Sequence, residues 1–463
     1  MADYSKYLRY SEGSGTLCLV NSNVKMALDK YGKYVEVLGK NFVMDDKTKN
    51  VMPIFSGNIN EDVISKELYG NNKNVIYKKL LGYYQSLYIG YVAESDFRAK
   101  GTSGGIATWI LCELLREKLV DGVINVKCVG KGNPMFKYEI SHTIEEVREG
   151  AKTKYYPVEL SEVLKLVRDV PGRYAVIGIP SFIYAIRLLQ RQSPIFKERI
   201  PYTVGIICGH QKTTCFSESI AWQSGITPGN LEFIDFRKKI PTEPANKEFV
   251  ELKGKISGKE VDLVKPMSDF PESNWGLGLF KVQASDFVDD VFNETADIVL
   301  GDAWLPKYEK DGKGTNIVII RNEQIAKIVD SAAISNRLHL ERADYTDVLK
   351  SQAAGIRHTY TELSYRLYKC DRENIWRPKE RVEPSPKLNR YRKEIQDSRE
   401  DIARTSNEAF YSAKKSGDLN IYLNSINPLI KEYKNIYKKY YFSSPRRLIK
   451  KIIQKIKKVF SNS

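Results

Sequence analysis

Short apolar runs alternate with amphipathic helical patterns through the first two thirds of the chain. Three runs have the length, the β-branched residues and the flanking turn residues of buried strands. They cover residues 123–129, 174–179 and 204–208. Helical patterns lie beside them at residues 106–118, 161–167 and 182–190. This alternation predicts an α/β fold in which helices flank a mainly parallel sheet core.

The pattern changes towards the C-terminus. Further strands are predicted at residues 298–300 and 316–320, and the residues from 331 to 376 are expected to be helical. After Trp376 a charged, proline-rich stretch marks a boundary, and mixed polar and tyrosine-rich residues follow it with a helical pattern. We therefore expect a helical C-terminal extension beyond the α/β core.

The last residues have the pattern of a basic amphipathic helix. Ser444 and Pro445 form a helix-start signal. The following apolar residues recur at spacings of three and four, and lysines and arginines take most other positions without an acidic residue. We predict an anchor helix that lies on an anionic membrane surface through residues 445–460. The alternative is a surface helix packed on the body or on a partner.

Charge is concentrated in this extension. The formal net charge is +16, and the residues from Arg377 onward contain 22 Lys and Arg against 9 Asp and Glu. The body is nearly neutral and carries no recognised nucleic-acid motif, so we expect no nucleic-acid partner. Residues 1–15 lack a secretory pattern and no long apolar run follows, which predicts a cytoplasmic protein. The anchor helix adds the expectation that the protein is peripheral on the inner face of the plasma membrane.

Candidate chemistry begins with a glycine-rich loop. Residues 98–105 read RAKGTSGG and open directly into an apolar helix, where backbone amides and basic side chains suit a phosphate or pyrophosphate. A serine-capped helix after a flexible loop explains the same residues equally well. The other candidates are Asp302 at a strand end and His210 after a buried strand, as an acid or base. The six cysteines form no C-x-x-C pair, and no metal site is predicted.

Several motifs occur together in one order. They are FRAKGTSGG, AKTKYYP, GIPSF, ICGH, FRKKIP and ADIVLGDAW. With them the chain resembles the coenzyme F-420 hydrogenase/dehydrogenase beta-subunit family over about residues 10–370. Bacterial members of this family occur with polysaccharide pyruvyl transferases in surface-polysaccharide gene clusters.

The resemblance implies a flavoprotein in which FAD lies in the α/β body and iron-sulfur clusters pass electrons to it. Carried over by motif, the cofactor-binding residues are Arg98, Lys100, Thr102, Ser103, Gly104, Gly105, Lys152, Lys154, Tyr155, Asp302 and Trp304. The implied domains are a degenerate ferredoxin-like region (1–60), a flavin-binding body (61–376), a charged linker with a helical extension (377–442) and the anchor helix (443–463).

This chain departs from the family pattern at positions where the family has cysteines. The N-terminal region keeps only Cys18, Ser181 and Ser285 stand at family cysteine positions, and Cys208 survives among the later ones. A four-iron cluster needs about four thiolates, so no iron-sulfur cluster is expected.

Two functions follow from the resemblance. The first is a cluster-free flavin oxidoreductase acting in surface or capsular polysaccharide biosynthesis, with His210 as the catalytic acid. Its substrate would be a glycan, a nucleotide sugar or a lipid-linked sugar. The second is a redox-silent accessory protein of the same machinery, which would dock a polysaccharide pyruvyl transferase or a glycosyltransferase.

Overall fold

The computed structural model of the 463-residue chain describes residues 4–445 together with residues 448, 449 and 453. Fifteen strands are formed within these residues. They are β1 Val24–Leu28, β2 Tyr34–Leu38, β3 Ile76–Lys78, β4 Gly82–Tyr84, β5 Ser86–Val92, β6 Gly122–Cys128, β7 Phe136–Ser141, β8 Tyr174–Gly178, β9 Tyr202–Ile206, β10 Leu231–Lys238, β11 Phe249–Ile256, β12 Lys259–Pro266, β13 Ile298–Asp302, β14 Asn316–Ile320 and β15 Leu338–Arg342.

The helices within the same residues range from single turns to more than six turns. They are α1 Ser5–Leu8, α2 Leu17–Val20, α3 Asp46–Lys49, α4 Glu61–Tyr69, α5 Phe97–Lys100, α6 Ile106–Arg116, α7 Ile144–Glu149, α8 Ser161–Asp169, α9 Pro180–Gln192, α10 Pro194–Arg199, α11 Cys215–Gln223, α12 Pro306–Glu309, α13 Glu323–Ile334, α14 Tyr345–Ser351, α15 Ala353–Ile356, α16 Leu363–Arg372, α17 Arg390–Ser416 and α18 Asn420–Phe442. A π-helical turn, Arg357–Glu362, joins α15 to α16.

The core is an eight-stranded sheet in the order β15-β5-β14-β13-β9-β8-β6-β7. Its four central strands, β13, β9, β8 and β6, are mutually parallel, and antiparallel strands complete both edges. The predicted α/β fold with a parallel sheet core is confirmed.

Helices cover both faces of this sheet because successive side chains of each strand point to opposite sides. Ile298 and Leu300 of β13 pack with α6 and α13 on one face. Val299 packs with α8 and α9 on the other face. The result is a three-layer arrangement in which the strand ends remain open to the loops that follow them.

Strand direction brings the candidate loops to one edge of the sheet. Strand β5 is antiparallel to β14, which is antiparallel to β13, so β5 and β13 run the same way as the other central strands. The loops after β5, β8, β9 and β13 therefore leave from the same carboxyl edge. In open α/β sheets this edge is where ligands bind.

A second apolar cluster joins the C-terminal helices to the body. The antiparallel sheet β10-β11-β12 and helix α11 pack against the hairpin formed by α17 and α18, with Phe216 and Phe280 meeting Phe410 and Tyr422. Polar contacts fix the same interface, since the Thr213 hydroxyl donates to the Asn407 side chain at 2.8 Å. The hairpin is thus an integral part of the packed structure.

Some expected elements differ in the structure. The region from 331 to 376 contains strand β15, whereas it was expected to be helical throughout. The sequence LHLER of β15 is short and polar because it forms an edge strand, which gives little hydrophobic pattern. The predicted anchor helix over residues 445–460 lies outside the described residues, apart from residues 445, 448, 449 and 453. None of the helices in the described part of the chain is long and apolar enough to cross a membrane.

Candidate functional site

The glycine-rich loop fits tightly against the sheet edge. A side chain at Gly104 would meet the Asn316 amide oxygen and the Gly90 carbonyl oxygen, each at 2.7 Å. Gly105 has a φ of +83° and precedes α6 directly. The Asn316 side chain accepts from the Ile106 amide at 3.2 Å and so caps this helix. Both glycines are therefore required by packing and backbone conformation.

Lys239 lies outside the glycine-rich loop in sequence but forms hydrogen bonds with its backbone. Its ammonium group donates to the carbonyl oxygens of Arg98, Ser103 and Lys313 at 2.6, 2.9 and 2.6 Å. Burial, reinforced by neighbouring cations, lowers the pKa of Lys239 to about 8. The lysine therefore joins the loop after β5 to the loop before β14.

The two cations of the loop itself are held by other protein groups. Arg98 donates to the Gly314 carbonyl oxygen at 2.9 Å and to the Asp311 carboxylate at 2.7 Å, and its guanidinium lies 3.4 Å from the centroid of the Tyr91 ring. Lys100 is exposed and pairs with Asp96 at 2.8 Å. Arg98 orders the loop, and Lys100 projects into solvent.

Arg237 on β10 is the centre of the buried charges at this edge. It lies 3.1 Å from Asp302, 3.2 Å from Glu248 and 3.3 Å from the Tyr155 hydroxyl. Burial opposes its charged form, but Asp302, Tyr155 and Glu248 outweigh burial and raise the pKa of Arg237 well above its ordinary value. Its guanidinium also lies 5.5 Å from the Trp304 ring. Arg237 is a permanently charged group at the strand ends.

Residues 152–155 lie beside Arg237 and its partners, and they include Lys152, Lys154 and Tyr155. Lys152 pairs with Asp235, and Lys154 donates to the carbonyl oxygens of Gly150 and Ala151. Burial lowers the pKa of Lys154 to about 7. Tyr155 packs edge-on against Trp275 at 4.6 Å, and burial raises the pKa of its hydroxyl.

A cavity of about 40 Å³ opens among these groups. We call it the carboxyl-edge cavity, and the residues that matter for its chemistry are Thr102, Ser103, Arg237, Lys238, Lys239, Glu248, Phe249, Asp302, Trp304 and Tyr308. Four of the residues implied by the resemblance, Thr102, Ser103, Asp302 and Trp304, line it directly. The basic residues that line it were missed as site residues, although Arg237 and Lys239 stand two positions apart and so share one side of an extended chain.

His210 lies outside this cavity. Its ring is 5.3 Å from Trp275 and 6.4 Å from His358, and the buried Nε2 atom has no hydrogen-bond partner among the described residues. Burial lowers the pKa of His210 well below its ordinary value, and Lys212, Lys281 and Arg399 lower it further. The ring is therefore neutral near pH 7.

A second constellation lies at the ends of β8 and β9. The hydroxyls of Ser181 and Ser285 both donate to the Glu12 carboxylate, one to each oxygen. Burial raises the pKa of Glu12, and it also raises the pKa of the Cys208 thiol to about 12, with the charge of Glu12 adding to the effect. Glu12 was not foreseen, because nothing in its sequence neighbourhood distinguishes it.

These side chains do not fit an iron-sulfur cluster. Ser181 and Ser285 present hydroxyls to the Glu12 carboxylate, whereas the iron of a cluster is held by thiolates. Within the part of the chain that the structure describes, no group of three or more His, Cys, Asp or Glu side chains could hold a metal ion.

Fold and site together define an α/β protein with a basic, aromatic-lined cavity at the carboxyl edge of its sheet. Residues 87–165 match the N-terminal family of the coenzyme F420 hydrogenase/dehydrogenase beta subunit. Residues 172–346 match the family that describes the C terminus of the same coenzyme F420 hydrogenase/dehydrogenase beta subunit. The chain belongs to this beta-subunit family, which is a family of the oxidoreductase type.

A solved structure and the curated proteins were also compared with the chain. A chain of the F420-reducing [NiFe] hydrogenase complex from Methanosarcina barkeri is similar, with a TM-score of 0.48 and 17% sequence identity. The similarity covers 64% of this chain and 96% of that chain. No curated protein matches the chain significantly.

Proposed function

We propose that the protein is an FAD-dependent oxidoreductase that works without an iron-sulfur cluster. The observation that carries this proposal is the carboxyl-edge cavity, where Arg237 is fixed between Asp302 and Glu248 beside the Trp304 ring. Basic groups beside an aromatic surface are what a nucleotide with phosphates and a flat ring requires.

The donors of the cavity match the phosphates of FAD in their chemistry, and a cavity of about 40 Å³ would admit only a part of a cofactor of that size. Arg237 and Lys238 would supply positive charge to the phosphates, and Lys239 would hold the loop that approaches them. Trp304 and Tyr308 would cover apolar parts of the cofactor. A bound FAD would supply the capacity to accept or donate a hydride.

His210 would serve the reaction by moving a proton at Nε2. Its ring is neutral near pH 7, so it begins as a proton acceptor and acts as an acid only after taking up a proton. Trp275 packs against both His210 and Tyr155, with ring centroids 5.3 and 4.6 Å away. Electrons would come from a soluble donor, either a reduced nicotinamide, a deazaflavin or a flavodoxin.

A redox-silent accessory role is the second candidate, and one observation favours it. Arg98 and Lys239, two cations near the glycine-rich loop, are already engaged with a carboxylate and with backbone carbonyls. A loop whose charges are satisfied by the protein can be purely structural. In that case the protein would keep the family fold in order to dock a transferase of the polysaccharide machinery.

The proposed setting is the cytosolic face of the plasma membrane, where a glycan, nucleotide-sugar or lipid-linked sugar substrate would be met. The basis is the basic amphipathic sequence over residues 445–460 together with the resemblance. Sedimentation with anionic liposomes, with and without residues 443–463, tests this location. Equal sedimentation of the two forms would contradict it.

The visible absorption spectrum of the purified protein, recorded before and after addition of FAD, separates the two functions. We expect flavin bands that remain with the protein through gel filtration. A protein that stays colourless and retains no added FAD would favour the accessory role.

A further inference from the structure

A group of buried nitrogen-bearing side chains lies between the α/β body and helix α17. We call it the basic cluster, and its members are His210, Lys212, Lys281, His358, Arg366, Gln396 and Arg399. Lys212 and Lys281 face each other across an isolated antiparallel bridge. Arg366 donates to the His358 carbonyl oxygen and to the Gln396 side-chain oxygen, each at 2.8 Å. The cluster is therefore built from the body, from α16 and from α17 together.

Several polar atoms of the basic cluster have no hydrogen-bond partner among the described residues. They are Nε2 of His210, both ring nitrogens of His358, Nε2 of Gln396 and Nε of Arg399. His358 is only 5% exposed and Gln396 only 2%. Unpaired buried polar atoms are costly, and the side-chain nitrogens of Gln396 and Arg399 can only donate. An acceptor with several oxygens would satisfy them.

The charges of the basic cluster also favour an acceptor with several oxygens. Lys212, Lys281, Arg366 and Arg399 lie within one buried region. The carboxylates that face them are Asp286, Glu362, Glu272 and Glu400. Asp286 pairs with Lys281, while Glu362 is shared by Arg399 and Arg392. Glu272 accepts from Ser219, Gln223 and Tyr422. With Arg392, which shares Glu362, five Lys and Arg side chains face four carboxylates, and a buried excess of positive charge favours an anion.

The backbone at this place is also unusual. His358 and Thr359 belong to the π-helical turn Arg357–Glu362, and each of these two side chains has a buried atom without a hydrogen-bond partner among the described residues. Such turns occur often at functional sites because they redirect side chains that an α-helix would point elsewhere. Here the turn directs His358 towards His210 and the rest of the cluster.

We propose that the basic cluster binds a phosphate group between the α/β body and helix α17. Four oxygens and up to two negative charges match its many donors and its excess of positive charge better than a carboxylate does. His210 and Trp275 are half-buried residues at the border of the cluster, and Nε2 of His210 is itself buried. The cluster shares no lining residue with the carboxyl-edge cavity, although it includes His210, the proton carrier of the proposed function.

Isothermal titration of the full chain with inorganic phosphate, at constant ionic strength and with chloride as the reference anion, tests the proposal. We expect saturable binding to one site per chain. His358→Leu removes a side chain whose ring nitrogens have no hydrogen-bond partner among the described residues, the nearest carboxylate oxygen being 3.7 Å away on Asp286. The unliganded protein should therefore keep its thermal stability while phosphate affinity falls by about tenfold or more. Lys281→Met should lower the affinity by a similar factor.

Lys369→Met is the matched control, because Lys369 lies at the same interface but pairs with Asp397 and Glu400 outside the cluster. Its phosphate affinity should equal that of the unmodified protein. A second titration with glucose 1-phosphate identifies the source of the group. If glucose 1-phosphate competes with inorganic phosphate, the group that the site binds is a phosphate ester. If glucose 1-phosphate does not compete, the group is the free phosphate ion. Lack of saturable phosphate binding by the unmodified chain, or equal binding by His358→Leu, would overturn the proposal.

Discussion

Arg237 and Asp302 lie 3.1 Å apart, guanidinium nitrogen to carboxylate oxygen, and this pair joins the small antiparallel sheet to the carboxyl edge of the large one. Arg237 comes from β10 and Asp302 ends β13. Because Glu248 shares the same guanidinium, the group is held in place with its charge beside the carboxyl-edge cavity. A cation fixed in this way needs little reorganisation, but a phosphate beside it would also meet the carboxylates of Asp302 and Glu248, so Lys238 and Lys239 would have to supply the balancing charge.

Replacement of Arg237 tests its part in the cavity. Arg237→Gln should weaken FAD binding by about tenfold or more, because a charge-assisted contact is lost. It should also lower the free energy of unfolding by about 3 kcal/mol, since Asp302 and Glu248 lose their buried partner. FAD fluorescence titration and urea denaturation measure the two effects. Lys253→Met, at an exposed ion pair on β11, should change neither.

Lys239 should control the mobility of the glycine-rich loop. Lys239→Met removes three hydrogen bonds to the carbonyl oxygens of Arg98, Ser103 and Lys313. Amide hydrogen exchange over residues 101–105 should then accelerate by about tenfold, because local opening costs less. The neighbouring Lys238→Met, which loses only a contact with Glu251, serves as control. Unchanged exchange in the Lys239 variant would show that the loop is ordered by other contacts.

Glu12 is predicted to stabilise the ends of β8 and β9. Glu12→Ala leaves the hydroxyls of Ser181 and Ser285 without their acceptor and should lower the free energy of unfolding by about 2 kcal/mol. Glu12→Gln keeps a side chain of the same length with hydrogen-bonding capacity, so it should cost much less. Equal destabilisation of the two variants in urea would contradict this role.

Asp290 should make stability depend on pH. Burial and the charge of Glu294 raise its pKa from 3.8 to about 7 in the folded chain. The folded state therefore holds the proton more tightly, and stability is lost as pH rises from about 4 to about 7. Asp290→Asn should be more stable than the unmodified protein by about 2–4 kcal/mol at pH 8, with the difference vanishing near pH 4. Urea denaturation across this range measures it, and a constant difference would contradict the assignment.

The sequence predicts the central strands well because each is a continuous apolar run bounded by turn residues. Strands β6, β8, β9, β13 and β14 all lie within two residues of their predicted positions. Strands β12 and β15 were missed because their exposed residues interrupt the apolar pattern, and β10 was missed because its buried charged residues, Asp235 and Arg237, do so. Helices α17 and α18 lie in the region that was expected to be a helical extension, but the turn between them was not predicted.

The site could be predicted only where its residues are consecutive. The glycine-rich loop and the end of β13 are local motifs, so Thr102, Ser103 and Asp302 were named as candidates from sequence. The Ser181 hydroxyl and the Glu12 carboxylate are 169 positions apart, and only the folded chain brings them together. The same holds for His210 and His358. Long-range pairs of this kind leave no spacing pattern for a single sequence to reveal.

Titration of the purified protein with FAD, followed by visible absorption, tests the central claim most directly. The account predicts one FAD per chain, with flavin bands shifted by the aromatic lining of the carboxyl-edge cavity, and binding at least about tenfold weaker in Arg237→Gln. Flavin bands that stay identical to those of free FAD at every protein concentration would contradict it.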